Sequence, residues 1–242
     1  MKTFPMPLTR LTLNNGSLEL LKWIAVALMT GDHINKYLFN GTLPYLFEAG
    51  RIVMPIFVFI LAYNLARPHA YENGVYQRMI LRLVTFAILA TPIFISLGSV
   101  INGWFPLNIL FTLSLIVVIV AILESSMRVE LRAICAVAVF CGGGSLVEFW
   151  WPAVALGVVT WWFFKKPNYL ALLLGLGSLL LLSLINGNHW ALAAVPVSLA
   201  ILRMKFSIPQ MKWFFYTYYP LHLLTIFLVR IPMRDAGYLF FN

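Results

Sequence analysis

The sequence predicts an all-α polytopic membrane protein, a bundle of about nine transmembrane helices with eight to ten possible. Three observations carry that expectation. Of 242 residues, 62% are hydrophobic and only 10% are charged. The mean hydropathy is +0.89. The apolar residues fall into segments close to span length, joined by short loops. An ordinary soluble domain is roughly 45–50% apolar and about 25% charged, and each crossing takes about 20 residues. The whole chain, 1–242, reads as a single integral membrane domain.

The segments run from Leu18 to Phe39, Arg51 to Ala66, Arg78 to Leu97, Phe105 to Leu123, Val129 to Cys141, Leu146 to Phe164, Tyr169 to Ile185, Trp190 to Leu202 and Met211 to Arg230. The fifth and eighth are short. The fifth runs into Gly142-Gly143-Gly144-Ser145, where three glycines disfavour continued helix. A break or re-entrant bend is expected there, and irregular backbone at membrane depth survives only when protein or a watery cavity covers it. Residues 1–16 form a short polar segment without a compact apolar stretch and cleavage site, so the first span is expected to act as its own insertion signal.

The charge of +9 does not point to nucleic acid, because no segment is long enough to be a soluble basic domain. The cations follow insertion bias instead. Arg67, Arg78 and Arg82 follow the second span, Arg128 and Arg132 the fourth, Lys165 and Lys166 the sixth, and Arg203, Lys205 and Lys212 the eighth. The loops after the third, fifth and seventh spans carry no lysine or arginine. The N-terminus and the even loops are therefore expected in the cytoplasm. Nine spans then place the C-terminus outside, although Arg230 and Arg234 lean the other way. Cys135 and Cys141 lie in one apolar stretch and suggest neither a disulfide framework nor a metal site.

Against this background, ionisable residues inside spans are costly and become candidates for function. Asp32 and His33 occupy the second half of the first span, with Lys36 one turn on. An Asp-His pair suits acid–base chemistry, but adjacent residues point about 100° apart on a helix. Asp32 can therefore meet Arg51, which a loop of about ten residues brings back to its depth. Pro55 is expected to kink the second helix or mark its first turn. His222 lies near the middle of the last span, with Tyr218 and Tyr219 four and three residues before it.

Arg67, Arg78 and Arg82 can clamp a phosphate-bearing ligand, Arg78 and Arg82 being four apart on one face. Each candidate has a structural alternative. Asp32–Arg51 can be a geometry-fixing ion pair, His222 an interhelical hydrogen bond, and the arginines topology signals in contact with lipid headgroups. Asn108 and Glu148 weigh towards structural or interfacial roles. The chain has no Walker-type or dinucleotide-binding glycine loop.

These residues also resemble a known family. Leu21-Lys22, Ala27-Leu28-Met29 and Asp32-His33-Ile34-Asn35 resemble the first-span signature of the TraX family, the conjugative F-pilin acetylases. Ala49-Gly50-Arg51, Pro55-Ile56-Phe57 and Asn64-Leu65 with Arg67 resemble its second-span motif. Asn108-Ile109-Leu110-Phe111 and the terminal Phe215-Tyr216 with His222-Leu223 are similar to further family features. The motifs cover about a quarter of the chain. The stretch from about Leu113 to Lys212 adds nothing to the match.

The resemblance implies a bacterial inner-membrane acyltransferase that moves acetyl from acetyl-CoA to the N-terminal amine of a pilin subunit. It points to Asp32, His33, Arg51, Asn108 and His222. In the expected mechanism His33 is the base, oriented or charge-balanced by Asp32. His222, with a nearby tyrosine, relays a proton or carries the acetyl group. Arg51 holds Asp32 or stabilises the oxyanion. No metal is expected. Two rivals remain at this stage: a proton-coupled transporter using Asp32, Arg51 and His222 as a relay, and a non-catalytic pilin assembly scaffold.

Overall fold

A computed structural model describes residues 12–98, 101 and 103–238. Lys2 and Arg10, the cations of the polar N-terminal segment that is expected in the cytoplasm, lie outside the described residues. Within them the chain is helical and holds no strand, only a single bridge between Leu107 and Val147. In lipid, helices satisfy every backbone polar group internally, and the sequence has the apolar content to make that necessary.

The helices are α1 (Asn15–Leu38), α2 (Pro44–Gly50), α3 (Val53–Leu65), α4 (Val75–Ser96), α5 (Ile109–Glu124), α6 (Val129–Gly144), α7 (Trp150–Lys165), α8 (Tyr169–Asn186), α9 (Ala194–Leu202) and α10 (Phe214–Asp235). A 3₁₀ turn, Trp190–Ala193, leads into α9. Because α2 and α3 form one rod bent at Arg51 and Ile52, the described helices make nine rods, one for each apolar segment of the sequence. The second rod starts at Pro44, seven residues before the expected start at Arg51. Pro55 falls in the first turn of α3, where its missing N–H has no helical partner to lose.

Four rods are long and apolar enough to cross a membrane: Pro44–Leu65, Val75–Ser96, Tyr169–Asn186 and Phe214–Asp235. α1 is longer, at 24 residues, but carries Glu19, Lys22, Asp32 and Lys36. α5, α6 and α7 have 16 residues each, about 24 Å at a rise of 1.5 Å per residue.

The glycine run corrects the sequence reading. Gly142, Gly143 and Gly144 are helical and form the last turn of α6, and the chain bends after them. Packing is the reason. A Cβ on Gly143 would lie 2.6 Å from Leu115 Cδ1, and one on Gly144 would lie 2.5 Å from Trp151 Cδ1. The glycines let α6 approach its neighbours closely, as small residues do in membrane bundles.

α3 is central. It packs against α1, α5, α7 and α9, and Ile56, Val58, Ala62 and Leu65 are fully enclosed. α10 packs on α1 and α4 and runs parallel to α1. Met211 before its start donates to Glu19 near the start of α1 (2.8 Å), His222 meets His33 further along, and Arg230 donates to Leu97 O at the far end of α4 (3.1 Å). Exposed leucines and isoleucines on α4 and α8, such as Leu81, Ile88, Leu173 and Leu184, form the outer apolar surface that a bilayer would cover.

Candidate functional site

Asp32 and His33, adjacent on α1, turn to different partners, as their helical spacing requires. Asp32 faces the bend between α2 and α3. Its Oδ2 accepts from Arg51 Nη2 at 2.6 Å, and the two side chains are 14% and 15% exposed. Arg51 is fixed further by Nε donating to Phe47 O (3.1 Å) and by its guanidinium lying 4.2 Å from the Phe47 ring centre. The short α1–α2 connection thus returns the arginine to the depth of the carboxylate.

Gly50, immediately before Arg51, makes this approach possible. A Cβ there would lie 2.5 Å from Asp32 Cγ. Gly50 has no expected role in the sequence beyond its place in the Ala49-Gly50-Arg51 motif. The Gly-Arg pair opening an apolar segment was the available signal.

His33 faces α10. Its Nδ1 is 2.7 Å from His222 Nε2, and the two rings are nearly parallel. His222 Nδ1 is 2.9 Å from Tyr218 O. A carbonyl can only accept, so His222 Nδ1 carries the hydrogen. With neutral rings His222 Nε2 then accepts, His33 Nδ1 donates, and His33 Nε2 keeps its lone pair. The histidine is therefore oriented by the other histidine and not by Asp32. Tyr218 stacks on His222 at 5.1 Å and Tyr219 meets it edge-on at 5.5 Å. Neither phenol hydroxyl is the imidazole's partner here. Thr30 Oγ1 donates to Val26 O, so the Tyr218 hydroxyl, 2.7 Å away, donates to Thr30.

A cavity of about 1050 Å³ joins these groups to the other end of the bundle. Along α1 it is lined from Lys22 through Val26, Met29 and His33 to Lys36, about 21 Å of helix. At the end where α1 begins its walls include Lys22, Arg67, Arg82, Gln210 and Lys212. At the far end they include Asp32, Lys36, Arg51, Glu148, Tyr219 and Arg230. The end where α1 begins is lined by four cations, Lys22, Arg67, Arg82 and Lys212, while both lining carboxylates, Asp32 and Glu148, lie at the far end, so the field at the first end favours an anionic guest.

The three loop arginines separate. Arg67 lines the cavity and donates to Asn15 Oδ1 (2.7 Å). Arg82 lines it too, 4.5 Å from the ring centre of Trp213. Arg78 is exposed and is not among the lining residues. Asn108 is also not among them. It is the N-cap of α5, accepting from Leu110 N, and its amide donates to Ala87 O and Thr91 Oγ1 on α4 (both 3.1 Å).

Glu148, set aside in the sequence as structural or interfacial, lines the cavity near Lys36. It lies outside the helices, in the turn between α6 and α7. Burial pushes its carboxyl up to about 7, opposed in part by the charges of Lys36 and Arg51 and a hydrogen bond from Ile109 N–H. Among the described residues no group of three or more His, Cys, Asp or Glu side chains is arranged to hold a metal ion.

A helical bundle with four helices long and apolar enough to cross a membrane, holding a histidine pair and a buried ion pair along one elongated, charged cavity, belongs to the class of polytopic membrane proteins. More narrowly, the family model described as TraX protein matches residues 17–230. The chain belongs to the TraX family, which ties it to conjugation- and pilin-associated proteins. No curated protein and no solved structure matches it.

Proposed function

We propose that the protein is an acetyltransferase of the bacterial inner membrane, with its N-terminus in the cytoplasm, moving acetyl from acetyl-CoA to the N-terminal amine of a pilin subunit. The observation that carries this reading is the single cavity linking a basic end to His33. His33 lies in the outer half of α1 in this orientation, whereas the donor is cytoplasmic. A cavity along α1 removes that difficulty.

The residues present fit the donor. Arg67, Arg82, Lys22 and Lys212 line the basic end and offer cations suited to phosphates. Bound there, acetyl-CoA would supply a thioester carrying the acetyl group. His33 Nε2 serves as the base for the amine proton, held in its tautomer by His222 and the Tyr218 carbonyl. Arg51, anchored to Asp32 and Phe47 O, keeps a positive charge at the site, where it favours a developing oxyanion.

The test is purified protein incubated with pilin and labelled acetyl-CoA, read by intact mass and by free thiol. One acetyl group on the pilin N-terminus, with equivalent thiol released, is expected. Pilin that stays unmodified while the donor stays intact overturns the reading and leaves a carrier or a scaffold.

A further inference from the structure

We propose that Glu148 receives the acceptor's ammonium group and takes its first proton, delivering a neutral amine to His33. This rests on the acetyltransferase reading above and adds a residue to it.

Glu148 N–H donates to Leu107 O (2.9 Å), Leu107 N–H donates to Leu146 O (2.8 Å), and Thr112 Oγ1 donates to Glu148 O (2.9 Å). Main-chain bonds therefore close this turn, and the carboxylate is not needed to close it. The side chain lines the cavity beside the start of α5. It is held at one place at the end of the cavity that contains His33.

The charges around it make the role specific. Asp32, Lys36 and Tyr37 of α1, Arg51 at the α2–α3 bend, and Tyr219 and Arg230 of α10 surround this end. Asp32 is already bound to Arg51. Among the cavity's carboxylates Glu148 is thus the one not committed to that arginine. An α-amine titrates at about 8 and arrives mostly protonated at neutral pH, and it attacks a carbonyl only as the free base. The neighbouring cations disfavour the ammonium and so help it deprotonate. A carboxyl raised to about 7 by burial lies close enough to the amine's pKa to exchange a proton with it.

The step balances. The ammonium gives one proton to the Glu148 carboxylate. The freed lone pair forms the C–N bond at the thioester carbonyl, and the amine's second proton passes to His33 Nε2. The C–S bond breaks and the thiolate takes that proton from His33. Glu148 then releases its own proton to water. An ammonium and a thioester become an amide, a thiol and one proton.

The test is Glu148→Gln with acetyl-CoA and two pilin N-terminal peptides, one with its ordinary α-amine and one capped with an aminooxy group that is neutral at about pH 6.5. Wild-type protein that acetylates neither peptide overturns the acetyltransferase reading itself. With active wild type, the Gln variant is expected to lose about 10²-fold in kcat/KM on the ordinary amine at about pH 6.5. That loss is expected to shrink to about threefold at about pH 9, and on the aminooxy peptide at either pH. An equal loss in every arm, or no loss at all, overturns the role of Glu148. If the Gln variant cannot be recovered folded, Glu148→Asp is read instead. It is expected to keep the wild-type pH profile at a lower rate, and a changed profile overturns the proposal.

Discussion

His33 Nδ1 and His222 Nε2 lie 2.7 Å apart, and the second ring is tied at its other nitrogen to Tyr218 O. The chain of one carbonyl and two imidazoles points one lone pair, that of His33 Nε2, away from the bonded partners. It does for His33 what a carboxylate does in a hydrolase triad, which is to fix tautomer and orientation. His33→Ala is expected to lower kcat for acetyl transfer by about 10²–10⁴-fold, the usual worth of a general base. His222→Ala leaves His33 in place but unoriented and is expected to cost less. Steady-state rates on pilin peptide check both. A His222→Ala loss larger than that of His33→Ala would reverse the assigned order of roles.

The Asp32–Arg51 pair makes a stability prediction. Both side chains are mostly enclosed and their atoms are 2.6 Å apart. Removing one partner leaves the other charged and desolvated, which typically costs about 3–5 kcal/mol. Arg51→Ala is expected to lower the detergent-solubilised Tm markedly. Asp32→Asn combined with Arg51→Ala is expected to be less destabilised than the sum of the single changes. Additive losses in this cycle would show that the pair is not coupled.

Gly50→Ala tests the close approach beneath that pair. The added Cβ would lie 2.5 Å from Asp32 Cγ and 2.6 Å from its Cβ, so the α2 end or the carboxylate must move. Overpacking of this kind costs about 1–3 kcal/mol. The variant is expected to unfold at lower temperature and to transfer acetyl more slowly, because the carboxylate that anchors Arg51 is displaced. Unchanged Tm and rate would mean that the α2 end relaxes freely.

The ion pair was legible in the sequence because it is local. A short loop and two lone charges in apolar surroundings were enough to place Arg51 beside Asp32. The nine rods were legible for the same reason, each being a continuous apolar segment. The role of Glu148 was not legible. Its position depends on the pairing of Leu107 with Val147, a contact between distant segments that leaves no periodic signal. The helical glycine run was not legible, because propensity disfavours helix there while Leu115 and Trp151, which fill the space a side chain would need, lie outside the run in sequence. Arg78 and Arg82 do share α4 at i,i+4, and α4 begins at Val75, three residues before the expected Arg78. Arg78 therefore stands in its exposed first turn while Arg82 reaches Trp213.

That separation is itself testable. Arg82→Gln removes a cation that lines the basic end of the cavity. A charged hydrogen bond is worth about 1.5–3 kcal/mol, so KM for acetyl-CoA is expected to rise by about tenfold or more with kcat little changed. Arg78→Gln, on the exposed side, is expected to leave KM unaltered. Equal effects from the two changes would mean that their charges act at long range and not through the cavity. Repeating both at high salt separates these cases, since a screened surface effect fades while a contact within the cavity persists.

Glu148 also predicts how stability depends on pH. Its carboxyl is raised by burial from 4.5 to about 7 in the folded protein, so the folded state holds the proton more tightly than the unfolded state. The contribution to stability is fully present below about 4.5 and is lost as pH rises through about 7. Wild-type Tm is expected to fall between about pH 5 and pH 8 relative to Glu148→Gln, which cannot titrate at this position. Lys36 and Arg51 oppose the shift, so replacing Lys36 with Met is expected to move the fall to higher pH. Parallel Tm profiles for wild type and Glu148→Gln across this window would show that Glu148 meets water freely in the folded protein and is not desolvated in the cavity.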